Sequence, residues 1–167
     1  MKIVTKVEML KSLLVEAVAK LYANDFALFL VRGLENACVV RVIYYMQEML
    51  NNDPRFREWR HYNLDFEYNK SAVGLKVINA RSKYIKPDLI LHVRGTDVYN
   101  LMVIEFKKGQ NTSNNDIEKL RALTGDCCYY RYILGGAVAL KKQGPTYNFV
   151  ENGNLTECYT KEIDIAK

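Results

Sequence analysis

The sequence predicts an α+β domain, α/β-sandwich-like with a central mixed sheet, and three observations carry the prediction. Apolar residues recur at helical spacing from Met9 to Leu21 and again from Leu34 to Met49. Large apolar and polar residues alternate from Tyr62 to Asn69. Two apolar runs of strand length flank the turn Gly95-Thr96-Asp97, as in a β-hairpin. A third helical stretch and a last apolar run complete the order helix, helix, strand, strand, strand, helix, strand, with a small C-terminal hairpin. At 167 residues the whole chain, 1–167, is expected to be one domain, its core running α-β-β-β-α-β over about residues 33–140.

Thr5-Lys6-Val7-Glu8 matches a capping box, and Met9, Leu10, Leu13, Leu14, Ala17, Val18 and Leu21 follow on one stripe, so a first helix packs on the flank of the domain. Asn24-Asp25 ends it, and Phe26 to Val31 reads equally as a strand or as a turn of buried helix. A second helix is predicted from Leu34 to about Leu50, stopped by Asn51-Asn52-Asp53-Pro54. Glu35 lies in its first turn, where a carboxylate either answers the helix dipole or serves chemistry. Arg41 on the same helix reads as a surface salt-bridge partner.

The basic connection Arg55 to His61 leads into the first core strand, where Asp65 and Glu67 share a polar face turned toward a site or toward water. Residues 70–86 hold Lys70, Lys76, Arg81, Lys83 and Lys86 and no acidic residue, a long loop whose sign suits a nucleic-acid backbone. Lys86–Arg94 and Asn100–Lys108 are the two strands of the central hairpin. Asn and Ser cap a helix at Asp116–Thr124, Gly125 closes it, and Tyr129–Leu140 is the last long strand, with Gly135-Gly136 marking a bulge or a close approach to a helix. Turns at 141–145 and 152–154 form the C-terminal hairpin.

Composition excludes several classes. Hydrophobic residues at 49% and charged residues at 26% are the fractions of a soluble globular protein, with no apolar run long enough for a bilayer. The N-terminus leads into an amphipathic helix and not a secretory apolar core, so a cytoplasmic protein without membrane association is expected. Cys38, Cys127, Cys128 and Cys158 lack C-x-x-C spacing, and His61 and His92 are the only histidines, which argues for reduced, mostly buried thiols over a zinc site. A net charge of +5 permits a polyanionic partner without requiring one. Neither a phosphate-binding loop nor a dinucleotide fingerprint is present.

The central hairpin carries ionisable side chains inside its apolar strands. Asp88 opens the first strand, while Glu105 and Lys107, two residues apart, share one face of the second; antiparallel pairing brings the three together. Two carboxylates in a dry site repel, so either one is protonated or a hard divalent cation neutralises both. The cation also gives Lys107 a task.

Pro87-Asp88, sixteen intervening residues and Glu105-Phe106-Lys107 resemble the PD-(D/E)xK motif of the restriction-endonuclease-like, metal-dependent nucleases. The element order from Glu35 to about Leu140 is similar to that family's core. The resemblance implies phosphodiester hydrolysis of nucleic acid, DNA before RNA, with Asp88, Glu105 and Lys107 catalytic. It implies a magnesium or manganese ion held by Asp88, Glu105 and the Phe106 carbonyl, with Glu35 completing the site, or Asp65 or Glu67 in its place. Lys86, Lys83, Arg81 and Lys119 would then face phosphates, and a homodimer related by symmetry suits the cutting of two strands. The alternatives are a non-catalytic nucleic-acid- or protein-binding module on the same fold, and a buried structural ion-pair network.

Overall fold

The computed structural model describes residues 5–71, 74–75, 85–126 and 129–163. Its core is a six-stranded mixed sheet with helices on both faces. Helix α1 (Lys6–Asn24) starts at the expected capping box: the Thr5 hydroxyl accepts from Glu8 N–H and the Glu8 carboxylate accepts from Thr5 N–H. The link after it is a 3-10 turn (Phe26–Phe29), not a strand, and it buries Phe29 against Tyr22. Helix α2 (Glu35–Asn52) follows, and the basic connection behind it folds as a second 3-10 turn (Pro54–Trp59) that buries Phe56 and Trp59. Arg55 there joins Glu16 and Asp53, and Arg41 pairs with Asp25, the surface salt bridge expected of it.

Strand β1 (Asn63–Phe66) is shorter than the alternation suggested, because Glu67 takes a φ of 49°, in the left-handed region, and ends it. A two-stranded hairpin, β2 (Lys70–Ser71) and β3 (Gly74–Leu75), opens the basic segment; Lys76, Arg81 and Lys83 lie outside the described residues. Strands β4 (Leu89–His92) and β5 (Asn100–Lys108) form the central hairpin, with a bulge between Leu91 and His92. Helix α3 (Asn114–Thr124) then crosses to β6 (Leu134–Lys141), which runs parallel to β5. Strands β7 (Gly144–Glu151) and β8 (Asn154–Thr160) finish the sheet.

The sheet order is β1-β4-β5-β6-β7-β8, and all neighbours but β5 and β6 are antiparallel. The C-terminal hairpin is therefore no small appendage. It extends the sheet by two strands, and Tyr147 and Phe149 from β7 are fully buried in the main core. Helices α1 and α2 cover one face, packing Leu10, Leu14, Val42 and Met46 over Leu89, Leu91, Ile104 and Phe106. Helix α3 covers the other, setting Leu120 and Leu123 against Ile90, Val103 and Ala137. Each of the larger side chains, Leu, Ile, Val, Met or Phe, contributes about 1.5–3 kcal/mol by leaving water.

Gly135 and Gly136 mark close packing and no bulge, for the β5–β6 register runs unbroken from Leu134 to Leu140. A Cβ on Gly136 would sit 2.7 Å from Ile104 Cδ1, and one on Gly135 3.1–3.2 Å from Thr124 and Leu120 of α3. Cys38 is buried as expected, but Cys158 is exposed, because β8 is an edge strand open to solvent along its length. Among the described residues no helix is long and apolar enough to cross a membrane.

Candidate active site

Leu89 is paired with Ile104, and Asp88 and Glu105 extend that register by one step, so both side chains lie on the face covered by α3. The Asp88 carboxylate accepts the Phe106 N–H at 2.7 Å, which fixes it to the neighbouring strand. Glu105 stands beside Ala137 of β6, whose small side chain leaves it room, and it is 3% exposed. Lys107, two residues on, shares the Glu105 face and remains partly open to solvent.

Helix α3 supplies the partner for Glu105. Lys119 Nζ lies 2.8 Å from Glu105 Oε2, whereas Glu105 Oε1 is buried with no hydrogen-bond partner among the described residues. The resemblance implied a Lys119 facing phosphate at the edge of the site. Its contact with Glu105 was hidden because a helix and a strand far apart in the chain had to be docked first; the available signal was its place next to Leu120 on the packed side of α3.

Glu35 arrives from the opposite layer. Gly33 and Leu34 both take positive φ, 77° and 58°. For a leucine that conformation costs about 1 kcal/mol, and it turns the first residue of α2 toward the end of β5. There the Glu35 carboxylate accepts the Lys108 N–H at 2.7 Å and lies 4.0 Å from Lys107 Nζ. Its acidic charge at a helix N-terminus is also favourable by the dipole.

Burial sets the electrostatics. It pushes the Asp88 carboxyl above its ordinary range, with Glu35 adding to the rise, against the Phe106 N–H, Lys107 and Lys119. Burial raises Glu105 further, to about 7, outweighing the Lys119 ammonium; Asp88 and Asp116 push the same way. Near neutral pH this pair therefore holds one of its protons readily, and a cation that neutralises both carboxylates would release it.

The other acidic residues of the first strand are committed elsewhere. Asp65 is buried and binds His92 at 2.8 Å and the Arg94 guanidinium, at the opposite end of β4 from Asp88. Glu67 pairs with Lys86 at 2.9 Å, while its N–H donates to the Asp88 carbonyl. Lys86 keeps about half of its side chain exposed. Arg81 and Lys83 lie outside the described residues.

Among the described residues no three histidine, cysteine, aspartate or glutamate side chains form a ready-made metal-ligand set. What is present is a pair of carboxylates on one face, one with a buried, unbonded oxygen, next to the Phe106 main chain. That donor set is all oxygen, which fits magnesium or manganese and not a thiolate- or imidazole-seeking metal. The chain matches no protein-family model and no curated protein.

Proposed function

We propose that the chain is a metal-dependent nuclease of the PD-(D/E)xK kind, acting on DNA before RNA, with α2, β1, β4, β5, α3 and β6 as a restriction-endonuclease-like core. The observation that carries this reading is the Glu105 carboxylate. It is buried next to Asp88 with one oxygen unbonded among the described residues, an arrangement that costs about 1–3 kcal/mol until something binds that oxygen. Lys107 on the same strand face supports the reading, as does Glu35 at the strand's end.

A magnesium or manganese ion bound there supplies Lewis-acid polarisation of the phosphate and a more acidic water. Asp88 and Glu105 would hold it, with the Phe106 carbonyl and Glu35 as further oxygen donors. Hydrolysis joins a water oxygen to phosphorus and breaks the bond to one sugar oxygen, which leaves as a hydroxyl after taking a proton from water. Lys107 orients that water and favours its deprotonated form by charge. Lys119 neutralises Glu105 in the metal-free chain and, once released, faces the phosphate.

The Lys119–Glu105 pair itself favours a second reading, a non-catalytic binding module in which the ammonium permanently replaces the metal. Cleavage assays separate the two. Plasmid, linear duplex, single-stranded DNA and RNA are incubated with magnesium or manganese and with chelator. Wild-type protein should give metal-dependent products, and Asp88→Ala, Glu105→Ala and Lys107→Met should each lose about a hundredfold or more in rate while melting as cooperatively as wild type. A folded wild type that cuts nothing and shows no heat of manganese binding would overturn the nuclease and leave the module.

A further inference from the structure

A cavity of about 440 Å³ opens between the loop 30–33 and the ends of β5 and β6. Its size is within the range of small-ligand pockets. Its rim carries Arg32, Lys108, Lys141 and Lys142 and no acidic residue, and Leu30 and Val31, 64% and 53% exposed, form an apolar ledge beside them. The Lys108 ammonium is spent on the carbonyls of Val31 and Gly33, at 2.5 and 2.7 Å, which ties the loop to the strand end. Arg32, Lys141 and Lys142 form no ion pair among the described residues. Three such cations around one concave, partly apolar surface fit an anion with an apolar body.

The cavity opens on the α1/α2 side of the sheet and approaches the candidate active site around the end of β5. Gly33 of its wall stands two residues before Glu35, Lys108 directly follows Lys107, and the Lys108 N–H is the donor to Glu35. A strand whose phosphate lies at Asp88 and Glu105 would turn round the end of β5, past Lys107 and Glu35, to reach it.

The geometry points to a nucleotide subsite: the cavity binds a nucleotide of single-stranded nucleic acid flanking the phosphate at the Asp88–Glu105 pair, its phosphate between Arg32 and Lys142 and its base against Leu30 and Val31. This rests on the nuclease reading for the position of the neighbouring phosphate. It narrows the substrate to a single strand or a frayed end, because a base stacked within a duplex cannot reach the apolar ledge. Binding of this kind combines phosphate neutralisation with sequence-tolerant packing of the base.

The test is fluorescence anisotropy with a short labelled oligothymidylate and a duplex of equal length, in calcium to prevent cleavage. Wild type is compared with Arg32→Ala/Lys142→Ala and with the charge-matched control Lys6→Ala/Lys20→Ala on α1. The cavity variant should weaken single-strand binding tenfold or more. Its slope of log-affinity against log-salt should become shallower by about 1.4, since each of the two cations removed accounts for about 0.7 on a single strand. Its heat of manganese binding should be that of wild type, and the control should bind as wild type does. Unchanged single-strand affinity in the cavity variant overturns the subsite, and the nuclease reading stands if the wild type cleaves. Cavity-dependent binding without cleavage or manganese heat overturns the nuclease and keeps the subsite. A wild type that binds no oligonucleotide overturns the subsite whatever its metal binding.

Discussion

At the scale of single residues, Glu105 and Lys119 decide how the metal-free chain responds to pH. A carboxyl raised from 4.5 to about 7 by folding keeps its proton in the folded state where the unfolded chain has lost it. Its contribution to stability is thus whole below about pH 4.5 and disappears as pH rises through 7, amounting to about 3 kcal/mol. In chelator, wild type should melt roughly 6–12 °C lower at pH 8 than at pH 5, whereas Glu105→Gln should flatten that difference; parallel curves for the two proteins would exonerate Glu105. Lys119→Met should cost about 1–3 kcal/mol at pH 8, where it strands an ionised Glu105, and little at pH 5.5, where Glu105 is neutral. The same variant should bind manganese more tightly in calorimetry, having no ammonium to displace. Asp88, Glu105 and Lys107 were legible as a cluster because a short turn and a two-residue period place them together whatever surrounds the hairpin. Asp65 was not, since its direction depends on His92 and Arg94 at the far end of β4.

At the scale of elements, local chemistry announced what it controls. The capping box of α1 formed at Thr5 and the Ser113 cap at the start of α3, and the central hairpin formed about its Gly/Asp turn, although β4 spans only Leu89–His92 of the expected Lys86–Arg94 and the connection runs over residues 93–99. Boundaries set by contacts between elements were out of reach: β1 stops early at Glu67, and β6 begins only at Leu134, after Arg131 takes a φ of 44°. Gly135 and Gly136 show the same limit, for a bulge and a close approach look identical until both helices are placed. The close approach makes a quantitative prediction. Gly136→Ala should cost about 1–3 kcal/mol by pressing on Ile104 Cδ1. Ile104→Val, which removes that atom, should recover part of the loss in the double variant, and additive losses in denaturant melts would mean that the strain lies elsewhere. Gly135→Ala should cost less, its neighbours standing farther off.

At the scale of the whole molecule, the sheet does not end where the sequence placed its core. Residues 33–140 leave out α1, which supplies Leu10, Leu13, Leu14, Ala17 and Val18 to the main core, and β7, which supplies Tyr147 and Phe149. A chain ending at residue 143 should lose its cooperative melt by circular dichroism, and a sharp transition in that fragment would make β7 and β8 dispensable. The two ends are also joined by charge. Burial opposes the Lys11 ammonium, yet its hydrogen bonds to Glu151 of β7 and Glu157 of β8 hold its pKa above the ordinary value. Such a fold has an awkward birth order. The first helix to leave a ribosome can pack on α2 as soon as residues 35–52 follow it, but the sheet face that covers the two helices is complete only with β7, more than a hundred residues after α1, which at 5–20 residues per second is a wait of roughly ten seconds. For that interval the nascent chain shows the cell a pair of helices with an uncovered apolar face, and chaperone demand during synthesis should track the delay to β7 more closely than the stability of the finished molecule.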